Sequence, residues 1–216
     1  TPHESSAASD VYKRQALAYM RLILNCHDDV AFERVVNIPT RGIGERTVDA
    51  VREHARNISI SMWSAAKAMI VDKNLNTRSA NALAAFLNLI NEMTNTLEAL
   101  PLSELAENSI EMSGLIEMHR REKGERGQSR VENLEELVGA CKNFTPESID
   151  TPVLAQFLDQ VSLEAGERQA NEDQDAVQLM TLHSAKGLEF PLVIMAGMEE
   201  NLFPHKMSQN EPGRLE

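Results

Sequence analysis

Between Ala16 and Ala165 the chain repeats one pattern: apolar residues return at every third or fourth position, and short breaker segments interrupt them. That period lays one apolar stripe along a helix and does not suit an alternating strand. The stretch "ALAYMRLIL" opens the series as an apolar helix. Asp28 and Asp29 then stand where N-capping carboxylates belong for "DVAFERVVNI", and Pro39 ends that helix by biasing Ile38 toward extended backbone. Further helices are predicted at roughly 45–57, 61–71, 77–97, 102–113, 129–143 and 152–165. The last has Thr151 placed as N-cap, Pro152 at the first helical position and Gly166 just past the end. Breakers lie between them at Pro101, Gly114, "KGERGQ" and "FTPESIDTP". Trp63, Phe86, Phe144 and Phe157 are predicted core residues, because large rings bury more apolar area than other side chains.

After the polar, acidic stretch "EAGERQANEDQDA" the character changes. "VQLMTL" and "FPLVIMAG" are short, branched, continuous apolar runs, which suit strands buried on both faces of a parallel sheet. The expected fold is therefore a mostly α domain followed by part of an α/β domain, dividing near Asn171. Residues 1–15, "TPHESSAASDVYKRQ", are small and polar without a period and read as loop or disorder. The chain begins on threonine and stops on "EPGRLE", which reads as a piece of a longer protein.

Net charge is −12, which globally argues against a nucleic-acid binder and for an acidic surface. Charge distribution is the better test, since phosphate contacts need only a local basic face. Arg34, Arg41, Arg46, Arg52 and Arg56 form one basic island, and Arg120, Arg121, Lys123, Arg126 and Arg130 form a second. Each also reads as a solvated helix face with alternating charges. No apolar run approaches the roughly 18 residues of a membrane span, so no membrane partner is expected. Cys26 and Cys141 lie far apart without metal spacing and read as reduced, partly buried thiols.

Two stretches carry groups capable of chemistry. In "IPTRGIGERTVDAV", Gly42 and Gly44 flank Ile43 directly before a helix that starts near Glu45. This layout frees backbone N–H groups at a helix N-terminus, where the dipole is worth roughly half a positive charge. Ile43 can anchor the turn while Thr40, Arg41 and Arg46 add donors, a chemistry suited to a duplex phosphate met by position and not by sequence. The same glycines also fit a helix-to-helix turn that needs them for its backbone angles. The second stretch is "MTLHSAKGLEFPLVIM", where His183, Ser184, Lys186 and Gly187 interrupt two strand-like runs. Connections at the carboxyl ends of parallel strands are where ligands gather, although this string also reads as a satisfied polar loop. No Gly-rich phosphate loop with a Lys-Ser/Thr pair, cysteine nucleophile or metal-ligand cluster occurs in the sequence.

Together these residues resemble the UvrD-like superfamily 1 DNA helicases. "VQLMTLHSAKGLEFPLVIMAGMEENLFPH" is similar to that family's motif V with its following strand and loop, and "AFERVVNIPTRGIGERTVDAVR" and "EKGERGQSRVENLEELV" to its 2B domain. The resemblance implies a helical 2B-like domain at 16–172 and part of a RecA-like 2A domain at 173–216. Residues 1–15 match neither the strand-rich motif nor the charged helix start that would precede them, and read as foreign. It further implies a non-autonomous piece of an ATP-dependent 3′-to-5′ helicase of DNA repair and replication, inactive alone, with ATP and Mg²⁺ bound mainly by other parts of the parent. By the same resemblance, Thr181, His183, Ser184 and Lys186 meet single-stranded DNA, while Gly187 and Glu189 lie toward the nucleotide. Thr40, Arg41, Gly42, Ile43, Gly44 and Arg46 would meet duplex DNA at a junction. Repair proteins are implied as partners, and the cytoplasm, associated with the nucleoid, as the location. The rival reading is a helical protein-interaction module that binds neither DNA nor nucleotide, its acidic surface suited to a basic partner.

Overall fold

The computed structural model describes residues 2–122, 124–169 and 190–196, and the side chains among them of 11–122, 124–163 and 190–196. The chain divides into two compact units, Thr1–Gln169 and Ala170–Glu216. The first is wholly helical among its described residues: α1 (Pro2–Leu24), α2 (Asp29–Val35), α3 (Glu45–Asn57), α4 (Met62–Val71), α5 (Thr77–Thr94), α6 (Leu102–Ser113), α7 (Leu115–Arg120), α8 (Glu125–Asn143) and α9 (Val153–Gln169). None of these is long and apolar enough to cross a membrane.

Local chemistry sets most boundaries. Asp28 caps α2 by accepting from the Ala31 N–H at 2.9 Å, Ser61 caps α4, and Asn76 caps α5 by accepting from Ser79 at 2.9 Å. Each cap satisfies one of the N–H groups a helix start leaves unpaired. The apolar stripes then converge on α1, which packs against α2, α5, α6, α8 and α9. Tyr19, Met20, Leu22 and Ile23 supply its fully buried face. Across from them Phe32 meets Phe86 edge-to-face at 5.5 Å and Trp63 at 6.5 Å, so one chain of rings ties α2, α4 and α5 together. A second edge-to-face pair, Phe144 with Phe157 at 5.5 Å, closes α9 onto the end of α8.

Four expectations are corrected. Residues 1–15 are not loop at the backbone level: α1 starts at Pro2, since no proline or glycine interrupts the chain from His3 to Leu24. Its extension is used, because Tyr12 packs edge-on against His119 at 4.9 Å and Lys13 pairs with Glu136 at 2.8 Å. The "KGERGQ" breaker is shorter than expected and α8 starts at Glu125, running through Gly127. A side chain there would sit 2.6 Å from the carbonyl oxygens of both His119 and Glu122, so this glycine permits close packing and does not end a helix. Likewise α9 continues past Gly166 to Gln169, an interior glycine costing only about 1 kcal/mol. In the second unit, residues 190–196 of the expected strand "FPLVIMAG" form no strand, and Leu192, Val193, Ile194 and Met195 are exposed. Branched apolar composition favours a strand, but a strand exists only where a partner completes its ladder.

The α7–α8 corner holds a charged cluster that the sequence does not announce. Glu122 accepts from the buried His119 Nδ1 at 2.9 Å and from Arg130, whose guanidinium also lies 4.5 Å over the Tyr12 ring. Arg130 first, then His119, holds the Glu122 carboxyl below its ordinary value of 4.5. A carboxyl depressed by folding stabilises fully above its unfolded pKa, and that contribution disappears as pH falls through the lower folded value. Melting temperature is therefore expected to fall on acidification below pH 4.5, with Glu122→Gln showing a flatter acid limb than wild type. Superimposable acid limbs would remove this corner from the pH response.

Candidate nucleic-acid interface

The α2–α3 connection is built around Asn37. Its Oδ1 accepts from the backbone N–H of Arg41 at 2.8 Å and of Ile43 at 3.2 Å, folding residues 37–43 into a closed turn. The turn includes a cis Ile38–Pro39 bond. Ile43 is 1 % exposed and pins it from inside, whereas Thr40, Gly42, Gly44 and Arg46 are exposed around it.

The two glycines have different physical reasons. Gly42 has φ +81°, a left-handed conformation that side chains rarely adopt, so the turn itself requires glycine there. Gly44 has φ −73° and ψ 161°, ordinary extended backbone, and a side chain at it would meet nothing within 4 Å. Neither strain nor packing explains glycine at 44. Its carbonyl starts α3 by accepting from Thr47 at 2.9 Å and Val48 at 3.2 Å, yet no side chain caps the first-turn N–H groups. The result is an open, uncapped helix N-terminus flanked by bare backbone, which favours an anion. Glu45 and Arg46 are exposed beside it.

Arg41 does not join this surface, which corrects its expected place. Its guanidinium turns inward: Nη1 donates to the Pro39 carbonyl at 2.9 Å and more distantly to Val35 at 3.4 Å, and Nη2 donates to Ser113 at 2.8 Å. It also lies 5.7 Å from the Tyr19 ring centre and 5.6 Å from that of Phe86. The Tyr19 hydroxyl donates to the Ile38 carbonyl, and burial pushes its pKa up to about 12, so it keeps its proton. Arg52 is also spoken for, by Glu33 and Asp49. From the first basic island this leaves Arg34, Arg46 and Arg56 exposed without a carboxylate partner among the described residues. In the second island, Arg121 pairs with Glu117 at 3.0 Å, Arg130 with Glu122, and Arg120 and Arg126 are exposed.

Asn37 is the residue that sequence reasoning missed. A carboxamide four residues before Arg41 and six before Ile43, ahead of a proline, is the available signal for a side-chain-closed turn. Thr181, His183, Ser184, Lys186, Gly187 and Glu189 lie outside the described residues.

A known family covers this turn together with nearly all of the chain. The UvrD-like helicase C-terminal domain model matches residues 11–216. The chain belongs to that family. The match begins inside the stretch read as foreign, at the residues that dock on α7 and α8. The chain is 52% identical to DNA helicase II of Escherichia coli over 94% of its length, and 50% identical to DNA helicase II of Haemophilus influenzae over the same share. It is 36% identical to the ATP-dependent DNA helicase PcrA of Bacillus subtilis, again over 94%. It spans 28% of the length of each of these relatives.

Proposed function

We propose that this chain is the part of an ATP-dependent 3′-to-5′ DNA helicase, serving repair and replication in the cytoplasm near the nucleoid, that grips duplex DNA and links nucleotide state to single-strand grip. The observation that carries the reading is Gly44, bare where neither backbone nor packing requires it and set at an uncapped helix start. A phosphate of a duplex junction approaches the first-turn N–H groups there, with Thr40, Gly42 and Arg46 beside it and Ile43 holding the turn. In this reading 16–172 is a 2B-like domain and 173–216 part of a RecA-like domain. Across that second segment, Thr181, His183, Ser184 and Lys186 face single-stranded DNA, and Gly187 and Glu189 face ATP. ATP supplies the energy of strand separation with Mg²⁺; among the described residues no cluster of three His, Cys, Asp or Glu fits such an ion. Repair proteins are the proposed partners.

The test begins with duplex binding by the 216-residue chain at low salt. Gly44→Val suits the extended backbone, where a Cβ would meet nothing within 4 Å, so the chain is expected to fold, losing about 1 kcal/mol because valine is a poorer N-cap than glycine, while duplex affinity falls severalfold. Arg46→Ala is expected to lower the slope of log affinity against log salt by about one. Absence of duplex binding at low salt would favour the protein-interaction module.

The motif V reading has its own measurement, in the complete parent enzyme. His183→Ala is expected to weaken single-strand grip and DNA-stimulated ATP turnover. Glu189→Ala uncouples turnover from unwinding more than Glu189→Gln does, since glutamine keeps an acceptor. Lost hydrogen bonds of about 0.5–3 kcal/mol correspond to effects between severalfold and a hundredfold. If both alanine variants lower only thermal stability, the loop has no coupling role.

A further inference from the structure

We propose that Arg41 is a positioning residue and that the α6–α7 corner is the seat on which the duplex-binding turn is mounted. The proposal rests on the duplex reading of Gly44 and adds a part of the molecule that reading leaves unused.

Arg41 stands between exposed Thr40 and Gly42, the place where a phosphate-binding arginine is expected, yet its guanidinium is committed elsewhere. It spans two carbonyls of its own turn region and the carbonyl of Ser113, 72 residues away. Ser113 is the last residue of α6 and 4 % exposed. Its carbonyl belongs to the terminal group that a helix leaves unpaired, at the end where the helix dipole favours a cation. Gly114 follows with φ +81° and brings the corner against the turn; a side chain on it would sit 3.7 Å from Pro39 Cγ. The turn is thus held from the front by Asn37 and from behind by Ser113 and Gly114. The guanidinium that makes the rear link lies over two aromatic rings, those of Tyr19 and Phe86. Lysine cannot substitute, because one ammonium on a flexible stem lacks the planar fork that reaches these carbonyls while stacking on rings.

The experiment uses the 216-residue chain with Arg41→Lys, Arg41→Ala and Gly114→Ala beside Gly44→Val. Affinity for a short labelled duplex is read by fluorescence anisotropy across a salt series. Hydrogen–deuterium exchange of the peptide covering 37–44 is read without DNA. Arg41→Lys and Arg41→Ala are expected to bind equally, each about tenfold weaker than wild type, the size of one lost charged hydrogen bond. Exchange at 37–44 accelerates in both while exchange in α4 does not. Gly114→Ala, strained at positive φ, weakens binding severalfold and accelerates the same peptide. Wild-type affinity in Arg41→Lys, with a salt slope lowered by about one in Arg41→Ala, overturns the proposal and makes Arg41 a phosphate ligand. If an Arg41 variant does not fold, Gly114→Ala decides, and unchanged affinity and exchange in it overturn the proposal. Wild-type duplex affinity in Gly44→Val sinks the duplex reading instead, and exchange at 37–44 then decides the positioning claim by itself.

Discussion

Replacing Phe86 with alanine is expected to lower the stability of the helical unit by about 3–5 kcal/mol, the range for removing a buried aromatic ring. Its ring is fully buried, meets Phe32 edge-on at 5.5 Å and lies under the Arg41 guanidinium at 5.6 Å. The alanine variant therefore forfeits transfer energy, an aromatic pair worth about 0.5–1.5 kcal/mol and one of the two rings under the Arg41 guanidinium. Neighbours cannot collapse into the gap cheaply, because Phe32 is itself fixed against Trp63 and Leu83 and Ile90 are already fully buried. Urea unfolding monitored by far-ultraviolet circular dichroism measures the difference. Phe86→Leu keeps most of the volume and should recover well over half of the loss. A loss below about 1 kcal/mol in Phe86→Ala would mean that the ring chain is not what joins α2 to α5.

The second large effect belongs to Asn37. In Asn37→Ala the Arg41 and Ile43 N–H groups lose their common acceptor, at about 1–3 kcal/mol for each one that water does not reach. Asn37→Asp keeps an acceptor of the same shape but adds a negative charge under a surface read as meeting phosphate. The two variants should separate: alanine loses both stability and duplex affinity, while aspartate keeps stability and loses affinity, most at low salt. Thermal melts and duplex titrations on the same preparations measure both. Equal duplex affinity in Asn37→Asp and wild type would place the phosphate away from this turn.

What the sequence made legible was local. Caps at Asp28, the apolar stripe through Leu83, Phe86, Leu87 and Ile90, and the left-handed glycine requirement at Gly42 each depend on residues a few positions apart. What it hid was non-local. The direction of Arg41 depends on a carbonyl at Ser113, and glycine at Gly127 on carbonyls of the preceding helix and turn. A chain of letters lists five arginines as equals; only packing reveals that Arg41 turns into the protein and Arg52 is held at the surface by Glu33 and Asp49, while Arg46 remains available. The start of α1 was illegible for a similar reason, since Tyr12 and Lys13 find their partners at His119 and Glu136.

That first helix has a consequence for how the protein is made. Lys13 waits for Glu136 and Arg21 for Ser162, so α1 contacts are completed only after another 123 and 141 residues have been added. At a synthesis rate of roughly 5–20 residues per second, these last contacts close roughly six to thirty seconds after α1 is made. A nascent chain halted before α8 would already have α2, α5 and α6 to pack on α1, and would leave open only the part of it that α8 and α9 cover.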